Sequence, residues 1–191
     1  MKPIDLDSEK FGYVQQPSEP IAVDPPTARQ REGDEWFSFP LTWHLDQRGA
    51  LVELFRASWM YTHQFFDGVW KHADHMGQCY ISTTAPNVVK AWHLHLKQTD
   101  RFVCLRGKVV VGVYSLKTGR HQRIVLDAEK EARTLVIPPG VAHGWKNIGS
   151  SDSWILNICS EEYDGTDEYR RGAHSGPVHG VNWDWSPMID G

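Results

Sequence analysis

Residues 77–159 alternate short apolar runs with turn residues. The runs 78–82, 88–96, 101–105, 108–116, 122–126, 134–138 and 154–159 are rich in Val, Ile, Thr and aromatic residues. Gly107 and Lys117-Thr118-Gly119 interrupt them. Strands of this length and spacing, with almost no segment of helical period, point to an all-β sandwich or barrel. Upstream, residues 41–45 and 51–55 flank the polar turn Asp46-Gln47-Arg48-Gly49 and read as a hairpin. Residues 56–76 are aromatic and irregular, with room for one short helix. Their His72 and His75 read as surface or packing histidines rather than a metal pair.

The chain has 191 residues, enough for one sizeable core. Residues 1–35 carry several Pro and many charges and read as an extended N-terminal arm. Residues 36–191 read as a single domain, whose tail from 163 wraps over the barrel as loops and a short helix. A net charge of −4 argues against general nucleic-acid binding. Residues 1–10 lack the apolar core of a signal peptide, and no apolar run is long enough to span a bilayer. Cys79, Cys104 and Cys159 are few and widely spaced, as expected of free thiols in the cytoplasm. Nine Trp suit core packing, a subunit interface or stacking on a ligand.

The chemistry concentrates in two places. In Val89-Lys90-Ala91-Trp92-His93-Leu94-His95, strand alternation sets Val89, Ala91, His93 and His95 on one face and Trp92 and Leu94 on the other. Two imidazoles so spaced can converge on one ion. Asp100 follows at a short interval, and Gly107 after that. Pro138-Pro139-Gly140-Val141-Ala142-His143-Gly144-Trp145-Lys146-Asn147 brings a further imidazole after a tight turn.

These segments resemble the two motifs of the cupins, with Asp100 in the place of a Glu. The resemblance implies a jelly-roll barrel (a double-stranded β-helix). It also implies a ligand set of His93, His95, Asp100 and His143 for one divalent transition metal (Zn, Fe, Mn or Ni), with no organic cofactor.

A narrower resemblance spans roughly residues 40–187. Asp46-Gln47-Arg48-Gly49-Ala50-Leu51-Val52-Glu53-Leu54-Phe55-Arg56 looks like the DxRGxFxExFR stretch of the dTDP-4-dehydrorhamnose 3,5-epimerases, themselves cupins. Residues 78–82, 90–93, 136–145 and 180–185 also resemble segments of that family. Its chemistry inverts carbons beside the ketone of a nucleotide-linked 4-keto-deoxysugar. The resemblance implies His93 as base and Arg48, Glu53, Gln78, Lys90 and His143 as substrate contacts. It implies Tyr163 in the place of a family tyrosine, Asp184 near the His-supporting Asp, and a homodimer. The chain departs from the family at Asp100, where the family has Lys, at Asn157, where it has its catalytic Tyr, and at Lys90, where it has Arg. A metal-holding His93 could not also be the base. Two alternatives therefore stay open: a metal-dependent cupin enzyme of another class (an oxygenase or a small-carbohydrate isomerase), or a non-catalytic sugar-binding cupin.

Overall fold

A computed structural model describes residues 36–56, 64–66, 69–71 and 76–186. The expected arm, and the pair His72 and His75, lie outside these. The strands are β1 (Phe37–Pro40), β2 (Trp43–Asp46), β3 (Gly49–Val52), β4 (Gln64–Phe66), β5 (Val69–Lys71), β6 (Gln78–Thr84) and β7 (Val89–Leu94). They continue as β8 (Asp100–Arg106), β9 (Lys108–Ser115), β10 (His121–Asp127), β11 (Arg133–Ile137), β12 (Val141–Asn147), β13 (Ser153–Cys159) and β14 (Tyr169–Arg170).

Two five-stranded antiparallel sheets form the body, in the orders β1-β11-β8-β13-β6 and β10-β9-β12-β7-β14. Their inner faces share one core. Phe102, Leu135, Ile137 and Ile155 come from the first sheet, and Val109, Val111, Val113 and Trp145 from the second. Each such side chain contributes about 1.5–3 kcal/mol by leaving water. This is the jelly roll that the motifs imply. A smaller cluster of Phe39, Leu41, Val103, Ala132 and Val136 covers the outer face of the first sheet. Gly107, at φ +73°, makes the tight β8–β9 connection that few other residues tolerate.

The hairpin forms as read, with Gln47-Arg48 between β2 and β3. The short helix expected within residues 56–76 is absent from the described residues there, which pair as β4 and β5. β12 is a central strand that its sequence hides. Gly144 and Lys146 are poor strand formers, yet the strand is almost wholly buried between β9 and β7. The tail contributes β14, which extends the second sheet beside β7, and a single 3-10 turn at Ala173–Ser175. No described helix is long and apolar enough to cross a membrane.

Candidate active site

A cavity of about 1370 Å³ opens between the two sheets. From the first sheet, Gln78, Tyr80 and Ser82 alternate along β6 and line it, as do Asp100 and Phe102 of β8. From the second come Lys90 and His93 of β7 and His143 and Trp145 of β12.

Strict alternation along β7 does not hold. His143 pairs with His93 but Gly144 pairs with Ala91, so Trp92 is an extra residue in a bulge. Trp92 turns outward and packs on Trp183 and Trp185, with ring centroids 4.8 and 5.0 Å away. Beyond the bulge Lys90 as well as Ala91 lines the cavity with His93. The Lys90 ammonium donates to Ser82 Oγ (2.9 Å) and the Thr83 carbonyl (2.7 Å) and lies 6.0 Å from the Trp145 ring. Ala91 is pressed against Gly144, where an added Cβ would stand 2.3 Å from the Ala91 Cβ. The small residue at 144 allows the bulge.

Asp100 is the hub of the polar cluster. One carboxylate oxygen accepts from Gln98 Nε2 (2.7 Å) and Asn157 Nδ2 (2.8 Å). The other faces His143 Nε2 at 3.0 Å and His95 Nε2 at 3.7 Å. Burial alone would push this carboxyl up. The hydrogen bond and charge of His143, with His95 and Asn157, outweigh it and hold Asp100 down to about 2. His143 Nδ1 also faces an acceptor, the Val141 carbonyl at 3.0 Å. Both ring nitrogens of His143 thus face oxygen acceptors, Nδ1 the Val141 carbonyl and Nε2 the Asp100 carboxylate.

His95 lies just past the end of β7, and its Nδ1 meets the Asp167 carbonyl at 2.9 Å. The Asp167 carboxylate accepts the backbone N–H groups of Leu96, Lys97 and Gln98. It thus fixes the loop that carries His95 toward Asp100. Nothing in the polar tail sequence marks Asp167 for this task.

The donor atoms of His95, Asp100 and His143 lie within 4.8 Å of one another. His93, the fourth expected ligand, is not in this group. Its ring is 6.0 Å from that of His143, edge to face. The reason is its position before the end of β7, on the wall of the cavity, whereas the loop after β7 carries His95 back to the carboxylate. Burial, with the charges of His143 and Arg170, lowers the His93 pKa to about 4. At neutral pH it is a neutral imidazole with a free lone pair.

Other expected site residues fall elsewhere. Asp184 is exposed and pairs with Arg123 at 2.9 Å, because Trp183 and Trp185 on either side of it turn inward onto Trp92. It does not support His93. The carboxylates whose fields reach His93 are Glu168, just before β14, and Asp100. Arg48 and Glu53 do not line this chain's own cavity. Arg48 pairs with Asp46 on the exposed hairpin, and Glu53 with Arg56. Tyr163 lines the cavity but is 69% exposed. Gln78 and Lys90 line the cavity.

Residues 63–169 match the family model described as the polysaccharide biosynthesis C-terminal domain. The probable low-salt glycan biosynthesis epimerase of Haloferax volcanii is 36% identical over 124 residues, covering 62% of this chain and 73% of that protein. The spore coat polysaccharide biosynthesis protein SpsL of Bacillus subtilis is 31% identical over 146 residues, covering 73% of this chain and 89% of that one. Among solved structures, the dTDP sugar isomerase of Desulfovibrio desulfuricans has the same fold. Its TM-score is 0.66 at 20% identity, over 86% of this chain and 95% of that one.

Proposed function

We propose, since the chain belongs to the polysaccharide biosynthesis C-terminal domain family, that it is an epimerase or isomerase acting on a nucleotide-activated 4-keto-deoxysugar. The observation that carries this reading is His93, a neutral imidazole on the wall of a cavity roomy enough for a nucleotide sugar. Its lone pair takes the proton from a carbon beside the ketone. The bonding electrons move onto the ketone oxygen as an enolate, and a proton delivered to the other face completes the inversion. Lys90, on the same wall, supplies positive charge for the enolate or the phosphates. The named epimerase activity of the Haloferax relative supports the reaction class, and the dTDP in the name of the Desulfovibrio structure supports the nucleotide-linked substrate. The test is to offer dTDP- and UDP-linked 4-keto-6-deoxyhexoses and read proton coupling constants in the product. Inverted coupling patterns are expected; the return of every substrate with its configuration unchanged would count against the reading.

A homodimer completes this reading. The β2–β3 hairpin exposes Leu45 (76%) and Leu51 (59%) beside Arg48, apolar surface that a partner subunit would cover. Across such an interface Arg48 and Glu53 would reach the partner's cavity. Light scattering at micromolar concentration is expected to give twice the mass of one chain, and a monomer would remove these two residues from the site. Free thiols at Cys79, Cys104 and Cys159 support a cytoplasmic setting.

The cluster also fits a divalent transition metal. His95 and His143 each anchor Nδ1 on a carbonyl and turn Nε2 to Asp100, as metal-ligating imidazoles do. Bound there, such an ion would supply Lewis acidity toward the ketone oxygen. His93 stays outside that set, so a metal and a His93 base are compatible. Elemental analysis of protein purified without added metal separates the two states. About one equivalent of Zn, Fe, Mn or Ni supports the metal; none, with turnover indifferent to chelator, supports the Asp100–His143 ion pair alone.

A further inference from the structure

We propose that Tyr80 is the catalytic acid that protonates the sugar carbon on the face opposite His93, an inference that rests on the epimerase reading. Inversion needs two groups on opposite faces of a planar enolate. His93 stands on β7, in one sheet. The second group should stand on the facing sheet, carry a proton at neutral pH and have that proton uncommitted.

Of the three β6 side chains that line the cavity, Gln78, Tyr80 and Ser82, only the phenol is acidic enough to serve a carbon. Tyr80 pairs directly across the ladder with Asn157 of β13. The contacts of Asn157 settle the direction of the hydrogen bond between them. Asn157 Oδ1 accepts the Arg101 backbone N–H at 3.0 Å, and Nδ2 donates to Asp100 at 2.8 Å. The remaining Nδ2 hydrogen goes to the Tyr80 oxygen at 3.0 Å. Tyr80 therefore accepts in this bond, and its own proton stays available to a ligand. The same bond stabilises the phenolate left after transfer.

Burial raises the Tyr80 pKa to about 12, with Asp100 and Glu168 adding to it and Asn157 opposing, so the phenol is intact at neutral pH. An enolate carbon is far more basic than a phenolate, so the transfer runs downhill. The balance closes without a redox partner. His93 gains the proton that the carbon loses, and the C–H electrons become the enolate. Those electrons then form the new C–H bond with the Tyr80 proton as the ketone re-forms. The imidazolium returns its proton to water and the phenolate takes one back. Where the resembled family has its tyrosine, this chain has Asn157, and the phenol comes instead from the residue paired with it.

The test compares wild type, Tyr80→Phe and Tyr163→Phe on a dTDP-linked 4-keto-6-deoxyhexose in deuterated water. Tyr80→Phe keeps the ring, and its thermal unfolding is expected to match wild type. It should invert at least about 100-fold more slowly, with KM within a few-fold. It should still exchange deuterium into unreacted substrate, because His93 can remove a proton and return a deuteron to the same face. Tyr163→Phe, whatever its rate, should keep exchange and inversion in the wild-type ratio. Inversion by Tyr80→Phe at the wild-type rate would overturn the assignment. Joint loss of exchange and inversion, or the exchange-only signature in Tyr163→Phe instead, would overturn it equally. A folded wild type that neither exchanges nor inverts would overturn the epimerase reading itself, and this inference with it.

Discussion

His93→Ala is expected to lower kcat for inversion by roughly 10²- to 10⁴-fold, the usual contribution of a positioned general base, while KM moves little. The pH profile should carry the same signature. His93 is held near a pKa of about 4 by burial and by the charges of His143 and Arg170, against 6.5 for an ordinary imidazole. The group must be unprotonated to act, so activity is lost only as pH falls through the lowered value. The kcat/KM profile should be flat where histidines normally titrate and bend downward near pH 4. A limb near 6.5, or a His93→Ala enzyme with intact turnover, would remove His93 as the base.

The second large effect falls on stability. Asp100→Ala leaves buried His143 without the carboxylate its Nε2 faces and strips acceptors from Gln98 and Asn157. Removing one partner of a buried pair costs about 3–5 kcal/mol, read as a shift in the denaturant midpoint at neutral pH. The sign with pH follows from the depressed carboxyl of the wild type. Its contribution is present above the ordinary value of 3.8 and is lost as pH falls toward about 2. On the metal reading, chelator should reproduce much of the loss in wild type; on the ion-pair reading, it should change nothing. An Asp100→Ala midpoint equal to wild type would contradict both.

Much of the barrel was legible because its strands carry their own signal. Val109, Val111 and Val113 read as a strand in any context, and the spacing of His95, Asp100 and His143 survives as real proximity. The remainder depends on register between segments far apart in the chain. The bulge at Trp92 arises where Ala91 meets the missing side chain of Gly144, and it decides that Lys90 joins His93 in the cavity. Asp184 matched a family position in outline, but the neighbouring tryptophans favoured the apolar face over Trp92 and turned it to solvent. Tyr80 and Asn157 become partners only when β6 and β13 align. Asp167 shapes the His95 loop from a tail whose composition suggested only a wrap.

The central claim is that this cavity removes a proton from carbon beside a sugar ketone. Proton NMR of a dTDP-linked 4-keto-6-deoxyhexose, incubated with the wild-type protein in deuterated water, tests it most directly. Signals from carbons flanking the ketone are expected to fade as deuterium enters, and resonances of an inverted epimer to grow. Intact signals at those carbons, for dTDP- and UDP-linked sugars alike and with folded protein, would contradict it.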